Sequence, residues 1–241
     1  MVNEIVIWLK EQLESSGSKG FITGNSGGID SAVVLALCKL ASKNTIGVIM
    51  PCGNISEDER YARITAEKFD IETIFVDLMQ PFEAMKSAIG EDLSSLSSSN
   101  LKPRLRMASL YAIAQNRGYI VVGTGNLSEA TMGYFTKWGD GAHDINPIRN
   151  LCKSEVRILA RELGVPEEII EKAPSAGLWE GQTDEEEMKV LYKEIDEYIL
   201  NGSTNERAQK IIEEQYDKTE HKRIGIKAFP VERDPVYLQK N

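Results

Sequence analysis

The chain has 241 residues and a formal net charge of −9 at pH 7, long enough for one sizeable core and too acidic to grip nucleic acid in general, which takes a basic face. Cys38, Cys52 and Cys152 are odd in number and far apart, so they form no disulfide framework and point to a reducing cytoplasm. No apolar run approaches the roughly 18 residues that a membrane span requires.

In chain order, Ile5, Trp8, Leu9 and Leu13 share one face of a helix over Glu4 to Leu13, an amphipathic pattern unlike an export signal. Gly20-Phe21-Ile22-Thr23 reads as a strand that breaks into Gly24-Asn25-Ser26-Gly27-Gly28-Ile29-Asp30-Ser31 and resumes as the buried helix Ala32 to Cys38. Such a turn suits an anion, because glycines admit a bulky ligand and the new helix offers N–H groups that have no partner. Ser26 and Ser31 add hydroxyls. Asp30 would repel phosphate unless a cation lay between them, so its presence there implies bound magnesium. The common phosphate loop GxxxxGK[ST] is excluded, since its Lys is missing. The plainer reading has Asp30 or Ser31 merely capping a helix.

Strands follow at Thr45 to Pro51, Glu72 to Leu78 and Gly118 to Thr124, with a fifth expected over Asp144 to Ile148. Helices are expected at Asp58 to Phe69, Pro81 to Ile89 and Leu101 to Asn116, with Ser94 to Ser99 as a mobile serine-rich loop. Beyond Lys153 the pattern is helical: Ser154 to Leu163, Pro166 to Glu171, Asp184 to Leu200 and Asn205 to Tyr216. Pro174 to Gln182 has the composition of a lid. Alternating strands and helices predict a doubly wound α/β fold with a mainly parallel sheet and a helical C-terminal part, its ligands bound at the carboxyl ends of the strands. The long polar segment from Gly123 to Asp144, with Glu129 and Lys137 in it, has the look of a binding loop.

GNSGGIDS, Asn100-Leu101-Lys102-Pro103-Arg104-Leu105-Arg106-Met107, GTGNLSE, GYFTKWGDGAHDINP and Glu220-His221-Lys222-Arg223 together resemble, in order and over nearly the whole chain, the NH3-dependent NAD synthetases. The first of these is the SGGxDS pyrophosphate loop. The resemblance implies an ATP-dependent ligase that joins the nicotinate carboxylate of deamido-NAD to AMP, releases pyrophosphate, and lets ammonia displace AMP. It implies an adenine nucleotide alpha hydrolase-like fold and a single domain over residues 1–241, with a nucleotide-binding core at 1–150 and a mainly helical extension and substrate-closing tail at 151–241.

By the same resemblance, Gly24, Asn25, Ser26, Gly27, Gly28, Ile29, Asp30, Ser31, Thr124, Lys153 and Ser175 bind ATP, while Asp30 and Glu129 hold Mg2+. These two carboxylates and Lys153 form the catalytic set. Arg104, Lys137, Asp144, His221 and Lys222 bind deamido-NAD. The resemblance further implies a cytoplasmic homodimer with no nucleic-acid or membrane partner. The glutamine-using relatives' amidase domain has no room in this length, so free or separately delivered ammonia is expected.

Several residues keep a plainer reading. Arg104 and Arg106 could be surface charges, Lys153 the first residue of a helix, and His143 structural or exposed. Asp140 joins Asp144 as a candidate to steer ammonium. Pro103 stands where the family commonly has Ala, which is expected to shift that helix's start by a residue, and Asn25 replaces an apolar residue. The alternatives are another adenylating ligase, such as a GMP synthetase core or a tRNA-modifying enzyme, and a non-catalytic module that senses ATP.

Overall fold

A computed structural model of the chain describes residues 1–53, 56–175 and 183–230. Four parallel strands, β1 (Phe21–Gly24), β2 (Thr45–Ile49), β3 (Glu72–Phe75) and β4 (Ile120–Val121), form a sheet in the order β3-β2-β1-β4. The chain steps outward from β1 through β2 to β3, then returns to place β4 on the other side of β1. That reversal opens a crevice at the carboxyl ends of β1 and β4, where open α/β sheets bind their ligands.

Alternation along each strand feeds two cores. Phe21, Ile120 and Val122 face one side, and Ile22, Val121, Ile46 and Val48 face the other. The first side is covered by α1 (Val2–Ser16), α2 (Ile29–Ala41) and, later in the chain, α7 (Lys153–Leu163). α2 is buried almost all round because α1 and α7 pack on the flank that the sheet leaves open. α3 (Ser56–Lys68) lies beside α2, with Ala66 against Leu35.

The second side is covered by α4 (Met79–Ile89) and α5 (Ser95–Arg117), through Phe82, Leu105, Leu110 and Ala114. Each fully buried aliphatic or aromatic side chain contributes about 1.5–3 kcal/mol, so these two faces hold the crevice walls rigidly.

α6 (Leu127–Met132) follows β4, and α8 (Glu167–Ile170) follows α7. α9 (Asp184–Met188), α10 (Tyr192–Asn201) and α11 (Glu206–Lys218) build a third cluster against α6, in which Met132, Tyr192, Ile195 and Ile212 are buried. α12 (Glu220–Arg223) ends the described helices.

Four expectations change. Ser94 to Ser99 is the start of α5 and not a loop: the Ser94 hydroxyl accepts from the Ser97 N–H at 3.1 Å, and the Thr136 hydroxyl donates to Asn100 at 2.7 Å, so capping and a tertiary bond outweigh the poor helix propensity of serine. The start of that helix therefore lies well ahead of Pro103, which sits inside it with its ring against Gly139. The helix expected over Asp184 to Leu200 is two helices, because Lys189 is left-handed with φ 59° and its carbonyl accepts from Arg207 at 2.7 Å. The fifth strand reduces to one parallel bridge between Val122 and Ile145. Of the expected lid Pro174 to Gln182, only Pro174 and Ser175 lie within the described residues.

Candidate active site

The crevice is a cavity of about 570 Å³, within the range of small-molecule sites. Its floor is the turn between β1 and α2. Asn25 fixes that turn to the scaffold: its backbone N–H donates to the Val48 carbonyl at 2.8 Å and its side-chain amide to the Ala62 carbonyl at 2.8 Å.

Gly27 is required twice over. Its φ is +76°, and a Cβ there would stand 2.2 Å from the Asp58 carbonyl oxygen. The Ser26 hydroxyl lies 3.1 Å from that of Ser31, which donates to the Gly28 carbonyl at 2.9 Å. Gly28 caps α2 without any side chain, so the first N–H groups of α2 are left for a ligand.

Asp30, in the first turn of α2, meets Glu129 of α6 across the crevice, and Asn126 connects them. The Asn126 Nδ2 donates to Asp30 Oδ1 at 3.0 Å. Its Oδ1 accepts from the Glu129 N–H at 2.9 Å, while Glu129 Oε2 accepts from the Asn126 N–H at 3.1 Å, a capping box that fixes the glutamate.

The Lys153 side chain is only 2% exposed, and its ammonium donates to Asp30 Oδ2 and stands 3.6 Å from Glu129 Oε1. Burial works against that charge, but Asp30 and Glu129 outweigh it and hold the lysine above its ordinary pKa. Burial, and then the charge of Asp30, push the Glu129 carboxyl well above the carboxylate range.

Lys153 is itself the first residue of α7, whose start is anchored. The Lys153 N–H donates to Ser128 at 3.0 Å, Ser128 donates to Asp196, and the Ser154 N–H donates to Asp196 at 2.7 Å.

The composition of the walls decides what can enter. Ile29, Val48, Met50, Met107 and Leu110 give an apolar side suited to a base, and the described lining carries seven carboxylates against the four cations Arg106, Lys153, Lys172 and Lys222. A phosphate-bearing ligand enters such a site only with cations to offset its charge.

The profile of the NAD synthase family matches residues 1–227. The chain belongs to that family. It is 47% identical over 225 residues to the NH(3)-dependent NAD(+) synthetase of Carboxydothermus hydrogenoformans, covering 91% of this chain and 93% of that one. Among solved structures it resembles the NMN synthetase of Francisella tularensis, with a TM-score of 0.92 and 40% identity over 95% of this chain and 96% of that one. The NH3-dependent NAD synthetase of Campylobacter jejuni aligns with a TM-score of 0.80 and 27% identity, over 95% and 97%. The sheet order and its flanking helices are thus the NAD synthase fold.

For the remaining expected positions, Thr124 lines the cavity of this NAD synthase and Ser175 stands exposed at its rim. Lys222 reaches the lining and donates to the carbonyls of Gly133 at 2.6 Å and Phe135 at 2.7 Å. Arg104, Lys137, Asp144 and His221 lie outside the lining. Arg104 donates to the Lys137 carbonyl at 3.4 Å, and the Lys137 ammonium donates to the carbonyl of exposed His221. Asp144 accepts from the Tyr111 hydroxyl at 3.0 Å and from the Val121 N–H at 2.9 Å, at the outer edge of β4.

Sequence reasoning gave no role to Lys172, Asn126 and Asp184, and for Arg106 it offered a surface charge as the plainer reading. Lys172 pairs with Asp58 beside the loop and lies 4.9 Å from the centroid of the Tyr61 ring. Arg106 points inward and donates to the Met50 carbonyl at 3.0 Å. Asn126 orients both carboxylates. Asp184, 4% exposed, accepts from the Tyr192 hydroxyl at 2.9 Å. In the sequence Asp58 and Asp184 read only as acids at helix starts, and nothing local distinguishes them from the neighbouring Glu59 and Glu185.

Proposed function

We propose that this NAD synthase amidates nicotinic acid adenine dinucleotide with ATP and ammonia, through a substrate adenylate, releasing AMP and pyrophosphate. One observation carries the reading: two carboxylates on different helices converge on a cation at the mouth of an anion-binding turn. A carboxylate cannot accept ammonia by expelling oxide, so the acid is first joined to AMP, and the protein's task is to hold two anionic substrates together and offset their charge.

The donor set fits a divalent cation. Asp30 and Glu129 are hard oxygen ligands, and the Lys153 ammonium stands between them as its stand-in. Mg2+ held there would screen the phosphates and polarise the α phosphorus.

The turn from Gly24 to Ser31 then binds the triphosphate through its N–H groups and hydroxyls, with Thr124 and Ser175 also on ATP. Lys153 contributes a positive charge to the ATP end of the site. The apolar wall takes the adenine.

Arg104, Lys137, Asp144, His221 and Lys222 serve the second substrate. Four of these lie off the cavity in the single chain, which supports a homodimer whose second copy completes the dinucleotide site. Three buried, unpaired cysteines fit a reducing cytoplasm. Among the described residues no helix is long and apolar enough to cross a membrane.

A second reading follows from the Francisella relative, which is named for the mononucleotide NMN: the acid amidated could be nicotinic acid mononucleotide. Both acids are supplied together with Mg-ATP and ammonium, and NAD, NMN, AMP and pyrophosphate are quantified. NAD with equimolar AMP supports the dinucleotide, NMN supports the mononucleotide, and ADP with inorganic phosphate overturns adenylation altogether.

A further inference from the structure

Lys153 occupies the place between Asp30 and Glu129 where the proposed function puts a divalent cation, so the two cations exclude each other. Its ammonium is buried and cannot be released to water, since the side chain is 2% exposed on a helix start pinned by Ser128 and Asp196. A displaced buried ammonium needs another anion within reach, because an unpaired buried charge is strongly unfavourable.

The same cavity supplies one. Asp184 is 4% exposed and lines the cavity; its Oδ2 is taken by the Tyr192 hydroxyl, the Tyr134 hydroxyl also faces the carboxylate, and its Oδ1 is buried with no hydrogen bond of normal geometry among the described residues. The Lys153 ammonium already lies 5.0 Å from the centroid of the Tyr192 ring, so the lysine and the aspartate flank the same tyrosine. An orphaned buried carboxylate oxygen is costly unless some state of the protein satisfies it.

We infer that Asp184 is the positioning residue that receives Lys153 when the divalent cation takes Asp30 and Glu129: the lysine exchanges one carboxylate pair for another carboxylate, and metal binding is coupled to that exchange. The inference rests on the reading of Asp30 and Glu129 as metal ligands. Lys153 would thereby hold the carboxylates in place before the metal arrives and swing aside with its charge intact.

The test uses Mn2+ bound to the full chain without nucleotide, followed by electron paramagnetic resonance, in D184N, K153M and the double variant. D184N keeps an oxygen for Tyr192 and is expected to weaken Mn2+ affinity roughly tenfold, whereas in the K153M background, with no ammonium to rehouse, the same change is expected to alter it less than about twofold. A D184N affinity within twofold of the parent, or an equal loss in both backgrounds, overturns the inference. If D184N does not fold, Y192F takes its place: it frees the second oxygen for the lysine and is expected to tighten Mn2+ binding severalfold, and an unchanged affinity overturns the inference. D30N separates the two ideas, since Mn2+ affinity unaltered in D30N shows that the metal-ligand reading itself is wrong.

Discussion

Lys153 and Asp30 are 123 residues apart in the chain, yet they form a buried ion pair where the start of α7 meets the start of α2. Removing one partner of a buried pair strands the other. K153M is therefore expected to lower stability in metal-free buffer by roughly 3 kcal/mol, the low end for broken buried pairs because Glu129 can take up a proton. Added Mg2+ is expected to recover more stability in K153M than in the parent, since it replaces the missing charge. Urea melts with and without Mg2+ check this, and equal recovery in the two proteins would contradict it.

The turn at Gly27 tolerates no side chain. G27A forces a left-handed alanine, at about 1–2 kcal/mol, and sets its Cβ against the Asp58 carbonyl on α3. The expected result is a stability loss of at least that size together with weaker binding of ATP, measured by calorimetry. G17A, at a glycine of similar φ with nothing near its Cβ, serves as the control and should lose stability alone.

His143 gives the fold an acid-sensitive point. Its ring packs on Gly123, its Nδ1 is buried without a partner among the described residues, and burial followed by the charge of Arg149 holds its pKa below the ordinary 6.5. A depressed histidine is neutral in the folded chain while the unfolded chain takes up a proton, so its share of stability is present above pH 6.5 and lost as pH falls below that value. H143Q is expected to flatten this part of the stability profile relative to the parent. Parallel profiles between pH 5 and 7.5, from denaturant melts, would count against it.

Adjacent residues on α12 should behave differently. Lys222 donates to two carbonyls of the segment after α6, whereas the exposed imidazole of His221 is not what Lys137 holds; that bond goes to its backbone. K222M is expected to cost about 1.5–3 kcal/mol, the scale of charged hydrogen bonds, and to speed proteolysis after Gly133. H221A is expected to leave stability within about 0.5 kcal/mol, as surface changes usually do. Thermal melts of both variants decide it.

The first half of the fold was legible because its signals are local: strands apolar on both faces, a helix apolar all round, and glycines at the turn between them. Glu129 was legible as part of a polar binding loop, but its meeting with Lys153 was not, since that depends on the sheet order and on Asn126. Serine propensity misled at Ser94 to Ser99, where a cap and the bond between Asn100 and Thr136 decide the conformation. Asp184 and Lys172 gave no warning, because their significance lies in what packs against them, and the break at Lys189 depends on a distant arginine.

The outer side of β4 carries a further consequence. The Val121 N–H is taken by the Asp144 carboxylate, its carbonyl by the N–H groups of Asp144 and Ile145, and the Gly123 N–H by the Ile145 carbonyl. A sheet border sealed in this way offers no ladder to a stray strand, so the protein is guarded there against edge-to-edge aggregation, and a neighbouring molecule can engage this flank only through side chains.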